Sequence, residues 1–288
     1  MATISELLEQ GVQRLTQTGR ESARLEAQVL LSYVLDLERP LLYAYPEREV
    51  TSRQAERYLS LIERRRQGEP VAYLTGHKEF YGLDFFVDNR VLIPRPETEL
   101  LVDAALAAGR GMLSQERNPI VADIGTGSGA IPVTLAVREP RLPCFYATDI
   151  SEEALAVARL NAERHHVESR IRFLQGDLLA PLPDPVDIIT ANLPYIGTGE
   201  MSGLPPDVRA YEPHLALFSG PQGLDLLERF FVEARHPGVL KDHAVLLLEI
   251  GYGQREALTR LVRRLWPHAD ITFQKDYTGW DRLLKVAL

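Results

Sequence analysis

Apolar residues in the first third of the chain recur at three- and four-residue steps. Ala23, Ala27, Leu30, Leu31, Val34 and Leu35 form one stripe, which predicts a helix from Glu21 onward. Shorter helical patterns cover residues 4–15 and 52–65, and Pro40 and Pro46 bracket a short apolar turn. These pieces predict a small bundle with short connections. The run Glu63-Arg64-Arg65-Arg66 reads as the solvated end of the last helix, with basic side chains at its negative pole. Gln67-Gly68-Glu69-Pro70 reads as a linker.

Between Tyr73 and Ile93 the pattern changes. Phe80, Tyr81, Phe85, Phe86, Val87 and Val91 cluster around Gly76, Gly82 and Asn89, which predicts a β-hairpin whose aromatics pack between domains. From Glu97 onward, helical and strand patterns alternate. Strands are expected over residues 120–124, 144–150, 171–174, 186–191, 244–250, 271–274 and 282–287. Helices are expected over 97–108, 130–137, 151–165, 224–234 and 255–265. The alternation predicts a mostly parallel sheet covered on both faces, with the last two strands as an antiparallel edge hairpin. The expected organisation is a helical domain over residues 1–68, a linker and hairpin over 69–96, and an α/β domain over 97–288.

Composition changes this picture in only a few ways. Hydrophobic residues make up 45% and charged residues 25%, so general disorder is excluded. Cys144 is the one cysteine, so neither an intrachain disulfide nor a cysteine zinc site can form. The histidines show no metal-ligand spacing, and no metal is expected. A net charge of -8 gives no general attraction to nucleic acid. The first residues lack the basic start and apolar run of a signal peptide, and no apolar stretch is long enough to span a bilayer. A cytoplasmic protein with no membrane association is therefore the expectation.

The first strand of the α/β unit runs into Asp123-Ile124-Gly125-Thr126-Gly127-Ser128-Gly129. Glycines allow a sharp turn and a close approach to a ligand, and the helix after them offers free N–H groups. Asp149 ends the next strand, where a carboxylate accepts hydrogen bonds from two ribose hydroxyls. The glycine spacing is G-x-G-x-G rather than the dinucleotide G-x-G-x-x-G, and no P-loop is present. The Asp123 carboxylate beside the first glycine would repel a pyrophosphate and attract an ammonium and a sulfonium. The charge pattern therefore favours S-adenosylmethionine, with S-adenosylhomocysteine as product. Asp177, after the third strand, is placed to reach the adenine amino group, or else forms a turn with Gly176; Leu178 sits beside it.

The fourth strand ends in Asn192-Leu193-Pro194-Tyr195. An NH₂ group on a planar carbon is a poor nucleophile because its lone pair is delocalised. Two acceptors, one for each N–H, can hold it with the nitrogen aimed at the methyl donor. The Asn192 side-chain oxygen and the Leu193 main-chain carbonyl are candidates for that pair. Pro194 stiffens the turn, and Tyr195 can stack on a flat group. On this reading catalysis is positioning, with no strong base required.

These residues resemble the PrmC/HemK family, the protein-(glutamine-N5) methyltransferases of peptide chain release factors. Pro70 to Gly76, Glu79-Phe80-Tyr81-Gly82, Leu92-Ile93-Pro94-Arg95-Pro96-Glu97-Thr98-Glu99, Tyr211-Glu212-Pro213, Gly220 to Leu224, Glu249-Ile250-Gly251 and Asp281-Arg282 carry the resemblance beside the two loops above. One departure stands in the catalytic turn, where the family usually has N-P-P-Y and this chain has Leu193; the carbonyl survives the change. The resemblance implies a seven-stranded class I (Rossmann-like) methyltransferase domain behind an N-terminal helical substrate-binding domain. It also implies that the substrate is the glutamine of a Gly-Gly-Gln loop in a class I release factor, handled by a monomer without direct nucleic-acid contact. Glu97 and Thr98 are then candidates for the substrate entrance, or else cap the helix that follows. The alternative is an adenine-N6 methyltransferase acting on rRNA or DNA, because a purine amino group needs the same two acceptors. The acidic charge and the Ile-Pro-Arg-Pro-Glu-Thr-Glu segment stand against it.

Overall fold

The computed structural model describes residues 2–19 and 21–288. Two compact units are present. The smaller holds the chain through His77 together with Pro205–Tyr211, and the larger holds Lys78–Leu204 and Glu212–Leu288.

In the smaller unit, helices Ile4–Thr16, Ala23–Leu35, Arg39–Ala44, Ser52–Arg66 and Val71–Thr75 enclose a core that includes Leu7, Leu30, Leu31, Tyr58 and Ile62. Thr3 and Thr51 open their helices with capping boxes, each hydroxyl accepting from the third residue's N–H. The arginine run is not wholly solvated. Arg64 and Arg66 are exposed, but Arg65 is 4% exposed, because helical spacing turns it to the inner face with Tyr58, Leu61 and Ile62. Its guanidinium donates to both Glu26 oxygens at 2.8 Å and to the carbonyls of Gly68 and Glu69 at 3.1 Å. An ion pair to Asp207, on the short helix Pro206–Tyr211, lies at 3.5 Å. The expected linker 67–70 is thus pinned, and the helix Val71–Thr75 stays with this unit.

The larger unit opens with the hairpin β1 (Lys78–Phe80) and β2 (Leu83–Phe85). Tyr81 and Gly82 both have positive φ, 54° and 71°, which matches a right-twisted two-residue turn. Phe80 and Phe85 are buried in this unit's own core with Leu101, Val102 and Ala105 of the helix Glu99–Ser114. That helix runs past the expected 108 because Gly109, a poor helix former, is buried against Leu142.

Seven strands follow: β3 (Ile120–Ile124), β4 (Cys144–Asp149), β5 (Ile171–Gln175), β6 (Val186–Ala191), β7 (Leu240–Glu249), β8 (Asp270–Lys275) and β9 (Asp281–Ala287). Their order is β5-β4-β3-β6-β7-β9-β8; the first five run parallel, and β9 pairs antiparallel with both β7 and β8. Alternate residues feed opposite cores. Val121, Ile188 and Leu247 join the core with helices Glu99–Ser114 and Ala130–Arg138, while Ala122, Ile189 and Leu246 join that with helices Asp225–Ala234 and Arg255–Leu265. β7 starts four residues before the expected 244 because its first turn of chain, Lys241-Asp242-His243, is polar and carries no apolar signal. Strand order reverses between β3 and β6, so a crevice opens beyond their carboxyl ends.

Candidate active site

A cavity of about 690 Å³ occupies that crevice. Its wall includes Thr98, Gly125, Thr126, Gly127, Ser128, Asp149, Asp177, Leu178, Asn192, Leu193 and Pro194 of the residues expected from sequence. Asp123, Gly129, Glu97 and Tyr195 are not on the wall.

The glycine loop is held by the neighbouring strand. Gly125 and Thr126 donate their N–H groups to Thr148 O at 2.9 Å each. Gly125 has φ 71°, and a Cβ there would stand 3.0 Å from Leu193 Cδ2, so the loop and the catalytic turn touch. Gly129 has φ 77°, and its Cβ would press on Ala158 Cβ at 3.1 Å and Cα at 3.2 Å, in the helix Glu152–Arg164. Its role is therefore close packing behind the loop. Asn161 on that helix donates to Ser128 O at 2.8 Å and exchanges two hydrogen bonds with the Phe86 main chain.

Asp149 accepts the Gly127 N–H on Oδ2 and the Ser151 N–H on Oδ1, both at 2.9 Å. Burial pushes its carboxyl upward, and these backbone donors oppose the shift. Each oxygen keeps a second acceptor site, and the residue lines the cavity. Asp123 lies beneath the loop, 1% exposed. Its Oδ1 accepts from Thr190 Oγ1 at 2.7 Å, while Oδ2 has no partner among the described residues. Thr126 Oγ1 is likewise unpartnered. Burial drives the Asp123 carboxyl up to about 7, with the Thr190 and Thr126 hydroxyls opposing and the Asp149 charge adding to the shift. Asp123 sits behind the wall, so the fit to S-adenosylmethionine is carried by what the wall presents: the Asp149 carboxylate and the open glycine loop Gly125 to Ser128. Asp177 is at the cavity edge, paired with Arg229 at 2.6 Å. Leu178 adopts φ 46° and its carbonyl accepts from Thr148 Oγ1 at 3.1 Å.

At the end of β6, Asn192 Nδ2 lies 3.1 Å from Thr98 Oγ1. Thr98 Oγ1 lies 2.6 Å from Glu249 Oε2, and Tyr195 donates its hydroxyl to Glu249 Oε1 at 3.0 Å. Neither Asn192 Oδ1 nor Leu193 O accepts a hydrogen bond among the described residues. Leu193 is 3% exposed and belongs to the core beneath the turn. Gln254 Nε2 donates to Tyr195 O at 3.0 Å and fixes the far end of the turn. Burial pushes the Glu249 carboxyl up, with Thr98, Tyr195 and the charge of Arg282 opposing. The same burial, and the neighbouring Glu249 charge, push the Tyr195 phenol up.

Sequence reasoning did not single out Glu249, Asn161 or the cavity-lining Arg90, Arg95, Leu215 and Arg229 as functional. Glu249 had a visible signal: it ends a buried strand after Leu246-Leu247-Leu248, at the same end of the sheet as Asp149 and Asn192. Arg95 is held toward the cavity by Glu212, a buried carboxylate 2.6 Å away, which also accepts the Ile93 N–H at 3.2 Å. Among the described residues no cluster of His, Cys, Asp and Glu is arranged to hold a metal, and no helix is long and apolar enough to cross a membrane.

Residues 6–76 match the PrmC N-terminal domain family, and residues 100–202 match the methyltransferase small domain family. A release factor glutamine methyltransferase of Moorella thermoacetica is 44% identical over 281 residues, 97% of this chain and 96% of its own length. One of Bacillus subtilis is 39% identical over 287 residues, 99% of this chain and 97% of its own length. Among solved structures, the N-terminal domain of human METTL16 in complex with SAH superposes with a TM-score of 0.52 at 15% identity, covering 89% of this chain and 93% of that one. At that identity it speaks to fold alone, and the fold is that of class I methyltransferases.

Proposed function

The chain belongs to the release factor glutamine methyltransferase family, and on that premise we propose that it transfers a methyl group from S-adenosylmethionine to the side-chain amide nitrogen of the glutamine in a release factor's Gly-Gly-Gln loop. The observation that carries this reading is the pair of unengaged acceptors, Asn192 Oδ1 and Leu193 O, on a rigid turn at the cavity wall. When bound, S-adenosylmethionine supplies an electrophilic methyl on a sulfonium centre. Asp149 would hold its ribose hydroxyls, Asp177 and Leu178 its adenine, and the Asp123 side of the loop its ammonium.

The chain's own contribution is alignment. A primary carboxamide has two N–H donors in one plane, and two acceptors that satisfy both fix its orientation. Delocalisation of the nitrogen lone pair is the obstacle, and a fixed approach direction is what the turn provides. Leu193 in place of the family's usual proline leaves this carbonyl intact. The side chain packs on Gly125, so seating by contact takes over from a fixed ring. Arg95 and Leu215, which also line the cavity, would meet the residues flanking the glutamine. The helical unit, which matches the PrmC N-terminal domain family, is proposed to grip the body of the release factor. The adenine-N6 alternative draws no support from relatives that span nearly the whole chain.

The test incubates purified chain, S-adenosylmethionine and a release factor, then maps the added methyl by peptide mass spectrometry. Methylation at the Gly-Gly-Gln glutamine is expected. Asn192→Ala should fold, bind S-adenosylhomocysteine and lose at least about a hundredfold in rate. Modification at another residue, or full activity in Asn192→Ala, would overturn the assignment.

A further inference from the structure

We propose that Thr98 and Glu249 are positioning residues that dictate which end of the Asn192 carboxamide faces the substrate. This rests on the acceptor role given to Asn192 above. A carboxamide is nearly symmetric in shape, and its two ends differ only in chemistry: one accepts, the other donates. A freely turning Asn192 would offer NH₂ to the incoming amide about as readily as oxygen, and NH₂ would repel it. Something must choose the end.

The hydrogen-bond directions make that choice. Glu249 is buried, and each of its two oxygens is met by a hydroxyl that donates to it. It accepts from Tyr195 on Oε1 at 3.0 Å and from Thr98 on Oε2 at 2.6 Å. The Thr98 hydroxyl owns a single hydrogen, and Glu249 takes it. Toward Asn192, 3.1 Å away, Thr98 can therefore only accept. Asn192 must present its Nδ2 hydrogens to Thr98, which leaves Oδ1 as the free end. Donation runs one way along the set, from Asn192 to Thr98 to Glu249, with Tyr195 feeding the same carboxylate from the other side. Burial pushes the Glu249 carboxyl up, and the two hydroxyl donors together with the charge of Arg282 on β9 oppose that shift. Tyr195 closes a loop, because it belongs to the same turn as Asn192. The buried charge at the end of β7 thus orients the turn at both its first and its last residue.

The chemistry of the set explains residue types that shape alone does not. Valine has threonine's outline but no hydrogen to relay. Glutamine has glutamate's outline but one acceptor where two hydroxyls donate, so either Thr98 or Tyr195 loses its acceptor. Both substitutions are therefore tests of the relay rather than of volume.

The experiment compares the full chain with Thr98→Val, Thr98→Ser, Glu249→Gln and the double variant T98V/E249Q. Rates are measured on the release factor, S-adenosylhomocysteine affinity by calorimetry, and the Asn192 side-chain amide by nitrogen-15 NMR. Thr98→Val and Glu249→Gln should each lower kcat about tenfold or more while cofactor affinity stays within about twofold, as expected for a defect confined to the reacting complex. Thr98→Ser restores the relay and should stay within about threefold of the parent. The double variant should be little worse than its worse single parent, since both changes cut one chain of donation. The Asn192 amide resonance should move in Thr98→Val and Glu249→Gln and hold in Thr98→Ser. That readout needs no turnover, so an inactive parent would sink the functional reading while leaving the relay to be judged by NMR. Full activity in folded Thr98→Val, losses that multiply in the double variant, or an unmoved Asn192 amide would each overturn the relay. Should Thr98→Val fail to fold, Glu249→Gln, which removes a buried charge, decides the matter alone.

Discussion

Asp149→Asn separates what the carboxylate proposed for the ribose does for the cofactor from what it does for the fold. Both Asp149 oxygens already accept a backbone N–H, from Gly127 and from Ser151, at 2.9 Å. An amide has one acceptor oxygen. Whichever way it turns, an NH₂ group meets either Gly127 or Ser151, and one backbone donor is stranded. In the ligand-free protein this loss, about 1–3 kcal/mol, is partly offset because a partly desolvated charge is removed. In the complex no such offset exists, since the diol loses a charged acceptor as well. Hydrogen bonds to charged groups contribute roughly 1.5–3 kcal/mol each, so affinity should fall about 10- to 150-fold. Calorimetry with S-adenosylhomocysteine measures this, and a thermal melt should show a small shift. A folded Asp149→Asn variant with affinity within twofold of the parent would refute the assignment of Asp149 to the ribose.

Two further outcomes follow from buried charges. The Asp123 carboxyl is raised to about 7 in the folded chain, well above its unfolded value. Between the two values the folded state holds the extra proton, so this group's contribution to stability is present at low pH and is lost as pH rises through about 7. Asp123→Asn should therefore raise the melting temperature of the ligand-free chain at pH 8 more than at pH 5 while weakening S-adenosylhomocysteine; a melting difference independent of pH would contradict it. Arg65→Met removes one partner of Glu26, whose side chain is 12% exposed, and the side-chain donor to Gly68 O and Glu69 O. Discounted for the partial exposure of Glu26 and Asp207, it should cost on the order of 1–3 kcal/mol in denaturant unfolding, and a cost near zero would show the residue to be surface-like.

Much of the larger unit was legible because its signals are local. Strand–loop–helix periodicity, the glycine spacing and the strand-end Asp149 and Asn192 lie within short windows, and the structure gathers Gly125, Gly127, Asp149, Asn192 and Leu193 around one cavity. What stayed hidden depends on distant partners. Thr98 and Glu249 are 151 positions apart, and nothing near either one announces the other. Arg65 looked like one of three surface arginines because burial of a charge is decided by Glu26 and Asp207, far along the chain. Tyr195 was expected to stack on substrate, whereas its hydroxyl is spent on Glu249 and its ring lies against Gly251, off the cavity wall. The segment Pro205–Tyr211 interrupts the larger unit and joins the smaller one, an assignment that local pattern does not encode.

The contact between Gly125 and Leu193 makes one seam serve two customers. A bulkier residue at 125 would press on the Leu193 side chain, so a change in the glycine loop is carried straight into the turn after β6. Arg90, Arg95 and Leu215, also on the cavity wall, take no part in that contact, so a change of side chain there leaves the seam undisturbed.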